Sequence, residues 1–209
     1  GRHGRVWASA PGLGIWCSVI VRPDWSRARD VGLTAAAACA MADVLEGEAG
    51  LHPRLRWPND VLIGEKKISG VLVDVTEGTE GSRAAIVGAG LNCGHRASDF
   101  PPELRGEATS VRRETRRVPD RARLARGYLS ALDHWLEVLG GPDPSALAAA
   151  WRERIGIVGQ RVIYRVAGEE HRGLVEEVGL FTGLVVSEEG RRRAMRAEHV
   201  EWLAVEPGK

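Results

Sequence analysis

Residues 83–93 read RAAIVGAGLNC, an apolar run that closes on two glycines one residue apart. A strand with Gly88 and Gly90 on one face carries no bulky side chains there, and leaves a slot against backbone for something flat. Asn92 would supply polar contacts at its mouth. The pattern is not the GxGxxG fingerprint: Cys93 stands where the third glycine belongs and no helix follows directly, so a dinucleotide-binding reading fails. A second run, KISGVLVDV, is rich in β-branched residues and predicts a neighbouring strand. Gly70 lies inside it, where glycine costs stability unless a ligand or another backbone comes close.

The remaining pattern surrounds these two strands. Residues 12–22 alternate, with Ile15, Cys17, Val19 and Val21 on one face and Trp16, Ser18 and Ile20 on the other. Residues 28–49 predict a helix with Val31, Ala35, Cys39, Ala42 and Leu45 along one stripe. LRW and DVLIG predict short strands around Pro58, and residues 93–118 read as irregular. Asp120 is the expected N-cap of a helix with Leu124, Tyr128, Leu132, Trp135 and Leu139 buried, and Ser145 that of a shorter one through Arg154. One long helix among strands implies a mixed sheet, not regular βαβ alternation. After Gly156 the chain becomes short alternating segments split by glycines and charges, the pattern of a small β-barrel. A boundary is expected there, giving domains at 1–155 and 156–209.

Composition excludes several classes. The net charge of +1 gives no global field for nucleic acid or an anionic membrane, and no DNA contact is readable. No apolar run reaches membrane-span length. Cys17, Cys39 and Cys93 are odd in number and far apart, which is neither a disulfide framework nor a metal knuckle, and the cytoplasm is the expected compartment.

Three stretches carry chemistry. In GRHGRVW, glycines let amides approach an anion and arginines bring forked charge. This is either a solvated terminus or part of a closing loop. In RWPNDVLIGEKKISGVLVDV, Pro58 stiffens the turn before Asn59-Asp60. Those two side chains are oxygen ligands suited to Mg²⁺, or an Asx turn at a strand end. Lys67 enters a buried-looking strand, where a cation can stabilise charge on a transferring phosphoryl group. The third stretch is VGAGLNC. The arginines at 112, 113, 116 and 117 read as a solvated loop or an anion site.

Taken in order and spacing, GRxGRxW, GLGIWCSVIVRP, RWPNDV, KKISGVLV and VGAGLN resemble the biotin–protein ligase family over essentially the whole chain. That family carries a GRGRxGRxW loop, a KWPND turn, a KxxGIL strand and a GxGxN strand end. The fold so implied is α+β: a class II synthetase-like mixed sheet with helices, then a C-terminal SH3-like β-barrel. The activity so implied is activation of biotin by MgATP to biotinyl-5′-AMP, then transfer to one lysine of a biotin carboxyl carrier protein. By the same resemblance Arg2 closes the loop over biotin and the α-phosphate, with Gly1 and Trp7 in that loop. Lys67 contacts carboxylate and phosphoryl oxygens. Asp60 and Asn59 serve Mg²⁺ and ATP. Gly70, Gly88 and Gly90 line the biotin slot, Asn92 lies beside the nucleotide, and Cys93 has no role. The family's earlier Gly-Arg pair and its biotin-binding Ser/Thr segment are absent, so an N-terminally incomplete chain is expected. Arg56 replaces the usual lysine. Family members also form homodimers through the sheet edge. The rival readings are a lipoate or octanoate ligase and an inactive remnant kept as a binding module.

Overall fold

The computed structural model describes residues 7–77 and 83–206. The chain folds as a mixed α/β protein with two antiparallel sheets. The first comprises β1 (Gly14–Val21), β2 (Pro53–Arg56), β3 (Asp60–Ile63), β4 (Lys66–Glu77) and β5 (Arg83–Asn92), in the order β1-β5-β4-β3-β2. Every pairing between these strands is antiparallel, which corrects the expected mixed sheet. Short connections suffice for antiparallel neighbours, and β2–β3 and β3–β4 are joined by such turns. A single parallel bridge, Lys67 with Ala108, lies outside the named strands.

Alternation in β1 divides the sheet's faces as read from the sequence. One face meets α1 (Leu33–Ala49), α3 (Arg121–Gly140) and α4 (Ser145–Ile155). Helix α1 is buried on every side rather than along a stripe, with Ala35 to Ala38, Cys39, Ala40, Met41, Ala42, Val44 and Leu45 all inside. It packs against β2 to β5 as well as α3 and α4, and its alanines allow the close approach this needs. Residues 27–32 form a 3₁₀ turn ahead of it, so Val31 falls off the expected stripe and is exposed. Asp120 caps α3, its carboxylate accepting from the Arg123 amide. Ser145 does not cap α4; it is the first helical residue, and Asp143 accepts from both its amide and its hydroxyl. Residues 93–118, expected to be irregular, contain the short helix α2 (Val111–Thr115), capped by Ser110.

The second sheet comprises β6 (Arg161–Val166), β7 (Glu169–Gly179), β8 (Gly183–Glu188), β9 (Arg191–Met195) and β10 (Trp202–Val205), in the order β10-β6-β7-β8-β9. No closed barrel is formed among the described residues, because the short end strands β9 and β10 do not pair with each other. Tyr164, Val175, Leu184 and Val186 fill its interior.

Packing density around α1 makes a test. Ala37 is fully buried, so Ala37→Leu overpacks the sheet–helix layer and should cost about 1–3 kcal/mol. The expected observation is a lower urea midpoint at unchanged slope.

Candidate active site

The sheet's other face is open, with Trp16, Ile20, Leu72 and Ile86 exposed on it. Strand register sets its rows. Trp16 lies opposite Gly90 and Gly90 opposite Gly70; Ser18, Gly88 and Leu72 form the next row. Three glycines thus meet across two adjacent strands and make a bare backbone floor. A Cβ on Gly70 would lie 2.9 Å from the Trp7 indole, and one on Gly90 3.1 Å from it. Those are distances at which a neighbour must give way, so Trp7 itself rests on the floor. At Gly88 the only neighbour of an added Cβ among the described residues is the Leu72 carbonyl, at 3.3 Å. Asn92 ends β5 opposite Gly14 and is buried.

Lys67 reaches this floor because of a register shift. Val61 pairs with Ser69 but Leu62 with Lys67, so Ile68 is an extra residue in β4. The bulge brings Lys67 to the face of Gly70, and its Nζ lies 3.0 Å from where a Gly70 Cβ would stand. The backbone of Lys67 is pinned by the Glu107–Thr109 segment. Its amide donates to the Glu107 carbonyl at 2.8 Å, and its carbonyl accepts from the Thr109 amide at 2.9 Å.

The ammonium of Lys67 is paired with Asp60 Oδ1 and lies 4.8 Å from the Trp7 ring centroid. Arg56 holds the other oxygen, Oδ2, at 2.7 Å. Burial pushes the Asp60 carboxyl up, but the charge of Lys67, its hydrogen bond and the contact from Arg56 outweigh that and hold it below the usual carboxylate range. Asn59 braces the turn instead of pointing away from it. Its side-chain amide nitrogen Nδ2 donates to the Val71 carbonyl at 2.6 Å, and its main-chain carbonyl accepts from the Val71 amide at 2.9 Å. Each oxygen of Asp60 therefore carries a cation, and among the described residues no group of three His, Cys, Asp or Glu side chains could hold a metal ion. The pair does not fit a preformed Mg²⁺ site.

Of the residues expected in the site, Trp7, Lys67, Asp60, Gly70, Gly88 and Gly90 come together. Asn59 sits behind them in the turn, and Asn92 lies at the strand end. Gly1 and Arg2 lie outside the described residues. Cys93 is buried, which pushes its thiol up to about 12 and leaves it no nucleophile at neutral pH. Two aromatic partners were not read as site residues. Trp16 meets Trp7 edge-on at 6.0 Å, and His95 meets Trp16 edge-on at 6.2 Å. His95 is buried and stacks on Phe100 at 4.9 Å; burial pushes its pKa down, so it is neutral. Trp16 was legible as a member of the open face, but His95 stands in a segment without periodicity and gave no signal.

Two clefts open on the surface. One of about 310 Å³ runs between the ends of β4 and the second sheet, lined by Trp57, Asn59, Val71, Trp151, Phe181 and Arg196 among others. A larger one of about 440 Å³, lined by Glu48, Val111, Pro119 and Arg123 among others, includes none of the residues above. No helix among the described residues is long and apolar enough to cross a membrane.

The site thus combines a backbone floor with a fixed cation. Residues 1–92 match the biotin/lipoate A/B protein ligase family. The bifunctional ligase/repressor BirA of Bacillus spizizenii is 40% identical over 122 residues, 58% of this chain and 38% of that protein. The biotin–[acetyl-CoA-carboxylase] ligase of Paracoccus denitrificans is 28% identical over 96% of this chain and 84% of its own length. The chain thus spans well under half of the Bacillus relative. In structure, the biotin protein ligase from Aquifex aeolicus in complex with biotin and ATP superposes with a TM-score of 0.84 at 22% identity, over 99% of this chain and 84% of that one. At that identity the likeness speaks for the fold.

The Asp60 cluster generates a pH prediction. A carboxyl whose folded pKa lies below its unfolded value adds stability above the unfolded pKa and loses it as pH falls through the folded one. Lys67 and Arg56 keep some solvent contact, so Asp60→Asn should cost about 2 kcal/mol near neutrality, below the full value for breaking a buried pair. The difference from the parent should shrink below about pH 4 and vanish once Asp60 is protonated. Urea unfolding at neutral and acid pH checks both the size and the sign.

Proposed function

We propose that this chain carries the catalytic machinery of an ATP-dependent biotin–protein ligase. The observation that carries the reading is the Lys67 ammonium beside the Gly70–Gly90 floor. Activation must bring two anions together, the biotin carboxylate and the α-phosphate of ATP. A fixed cation placed by a strand, not a loop, lowers their repulsion and stabilises charge in the in-line attack. The carboxylate oxygen attacks the α-phosphorus, pyrophosphate leaves, and biotinyl-5′-AMP forms. The neutral ε-amine of a carrier lysine then attacks the acyl carbon and AMP departs. This needs no enzyme nucleophile, which agrees with the protonated, buried Cys93.

In this reading the glycines accept the flat ureido bicycle, Asn92 lies beside the nucleotide, and Gly1, Arg2 and Trp7 belong to the loop that encloses the adenylate and keeps water from it. Mg²⁺ arrives with the triphosphate as part of the substrate. Asp60 becomes available to it as phosphate oxygens compete for Lys67 and Arg56, with Asn59 fixing the turn beneath. Residues 1–155 form the catalytic unit and 156–209 an SH3-like unit that supports the ATP site and docks the biotin carboxyl carrier protein. Support for that placement is the cleft between the sheets, to which Asn59 and Arg196 both contribute. Homodimer formation through the sheet edge belongs to the same reading. Beyond Gly70, β4 has no strand partner on the β3 side among the described residues. The cytoplasm, where the carrier and ATP are found, is the compartment.

The experiment is mass spectrometry of adenylates formed from ATP, Mg²⁺ and an equimolar mixture of biotin, lipoate and octanoate. Biotinyl-5′-AMP is the expected product. Lipoyl- or octanoyl-AMP would move the chain to the sister branch of the family, and no adenylate would favour a binding module. Lys67→Ala should cut adenylate formation by roughly 10²–10³-fold with the fold intact, as expected for a group that acts chiefly on transition-state charge. Near-parent pyrophosphate release by that variant would refute the role given to Lys67.

A further inference from the structure

The arginine run at 112–117 does not form one solvated face. Arg116 and Arg117 are exposed, but Arg113 is half-buried and turns inward. Its Nη1 donates to the Ala108 carbonyl at 2.8 Å, and its guanidinium carbon lies 6.0 Å from the centroid of the Phe100 ring. Ala108 is the middle residue of the segment that grips Lys67. β5 pairs with β4 from Ser69 onward and offers Lys67 no ladder partner. Residues 107–109 take that place. The Glu107 carbonyl accepts from the Lys67 amide, the Thr109 amide donates to the Lys67 carbonyl, and Ala108 forms the bridge between them. The Arg113 contact therefore falls between the two bonds that hold Lys67.

We propose that Arg113 is a positioning residue for the reaction: it holds residues 107–109 against the bulge in β4 and so fixes where the Lys67 ammonium stands over the glycine floor. The proposal rests on Lys67 being the cation of adenylate formation. A bulge disrupts the ladder locally, so backbone play there passes to the side chain it carries. Misplacing a reacting group by about 1 Å can cost about 100-fold in rate. Asp60 fixes the ammonium end of Lys67, and Arg113 fixes the backbone end. A planar fork suits the second task, because it can bond a carbonyl and lie near an aromatic ring at once. Other bonds share the load. The Thr109 hydroxyl donates to Glu114, and the Ser110 hydroxyl donates to the His95 carbonyl at 2.6 Å. Loss of Arg113 therefore loosens the clamp without opening it.

Biotin-dependent pyrophosphate release by the parent chain, Arg113→Met and Arg113→Lys tests this. Arg113→Met keeps an unbranched stem and loses the donor. Its kcat should fall roughly tenfold with KM for biotin and ATP within about twofold, and Arg113→Lys should recover most of the loss. A raised KM for ATP at the parent kcat would make Arg113 a nucleotide contact and overturn the proposal. In a Lys67→Ala background, Arg113→Met should cost less than about twofold, because it acts through Lys67. Equal losses in both backgrounds would mark a general structural fault and overturn the proposal as well. Amide hydrogen exchange of the free protein gives a readout that needs no substrate. In Arg113→Met the Lys67 and Thr109 amides should lose roughly tenfold in protection, while amides of the central β4–β5 ladder keep theirs. Parent-like protection at Lys67 and Thr109 overturns the clamp whatever the kinetics. If the parent itself releases no pyrophosphate, the ligase reading fails on its own, and exchange still decides whether Arg113 holds the segment.

Discussion

The pairing of Lys67 with Asp60 is the constraint on which the site depends. A lysine chain alone is flexible and would spend its charge in solvent. Here Asp60 and Trp7 fix the ammonium over the glycine floor, and Lys67 itself, with Arg56 beside it, keeps Asp60 ionised despite its burial. The pair is local in space though seven residues apart in sequence. The β2–β3 turn presents the carboxylate, the start of β4 presents the amine, and Asn59 ties the turn to Val71 so that the two cannot drift.

The floor and the core are the two faces of one sheet, and they set opposite demands. Towards the helices, Val71, Ala85, Val87 and Ala89 are buried against α1 and its neighbours. Towards solvent, the same strands carry Gly70, Gly88 and Gly90. Period-two alternation lets each strand meet both demands at once. The cost is a row of exposed apolar groups, Trp16, Ile20, Leu72 and Ile86, which a sheet tolerates only where that face has work to do. Trp7 covers part of it.

Ionisable groups elsewhere serve the scaffold. Asp43 accepts from Trp135 at 2.6 Å and pairs with Arg154, which also reaches Glu46 at 3.2 Å; this joins α1 to α3 and α4. Burial pushes the Cys39 thiol up to about 12 beside that cluster. The helices are thus locked together by satisfied charges, behind a site whose own charges remain exchangeable.

Sequence by itself determined the strands, the long helices and the identity of the floor, because alternation, β-branched runs and glycine placement act through neighbours in the chain. It also marked Asn59-Asp60 and, separately, Lys67 as residues that carry chemistry. What only the tertiary structure decided follows from contacts between distant segments. The strand order and its uniformly antiparallel pairing are long-range choices that local pattern does not encode. The extra residue at Ile68 turns Lys67 onto the glycine face, and no residue type announces a bulge there. At Asn59-Asp60 the bonds with Val71, Lys67 and Arg56 are to partners that only folding brings in. His95 became a buried aromatic neighbour only because residues 93–100 fold back over Trp16. Seating Trp7 on Gly70 and Gly90 took the whole sheet, since the two glycines meet only across the β4–β5 ladder.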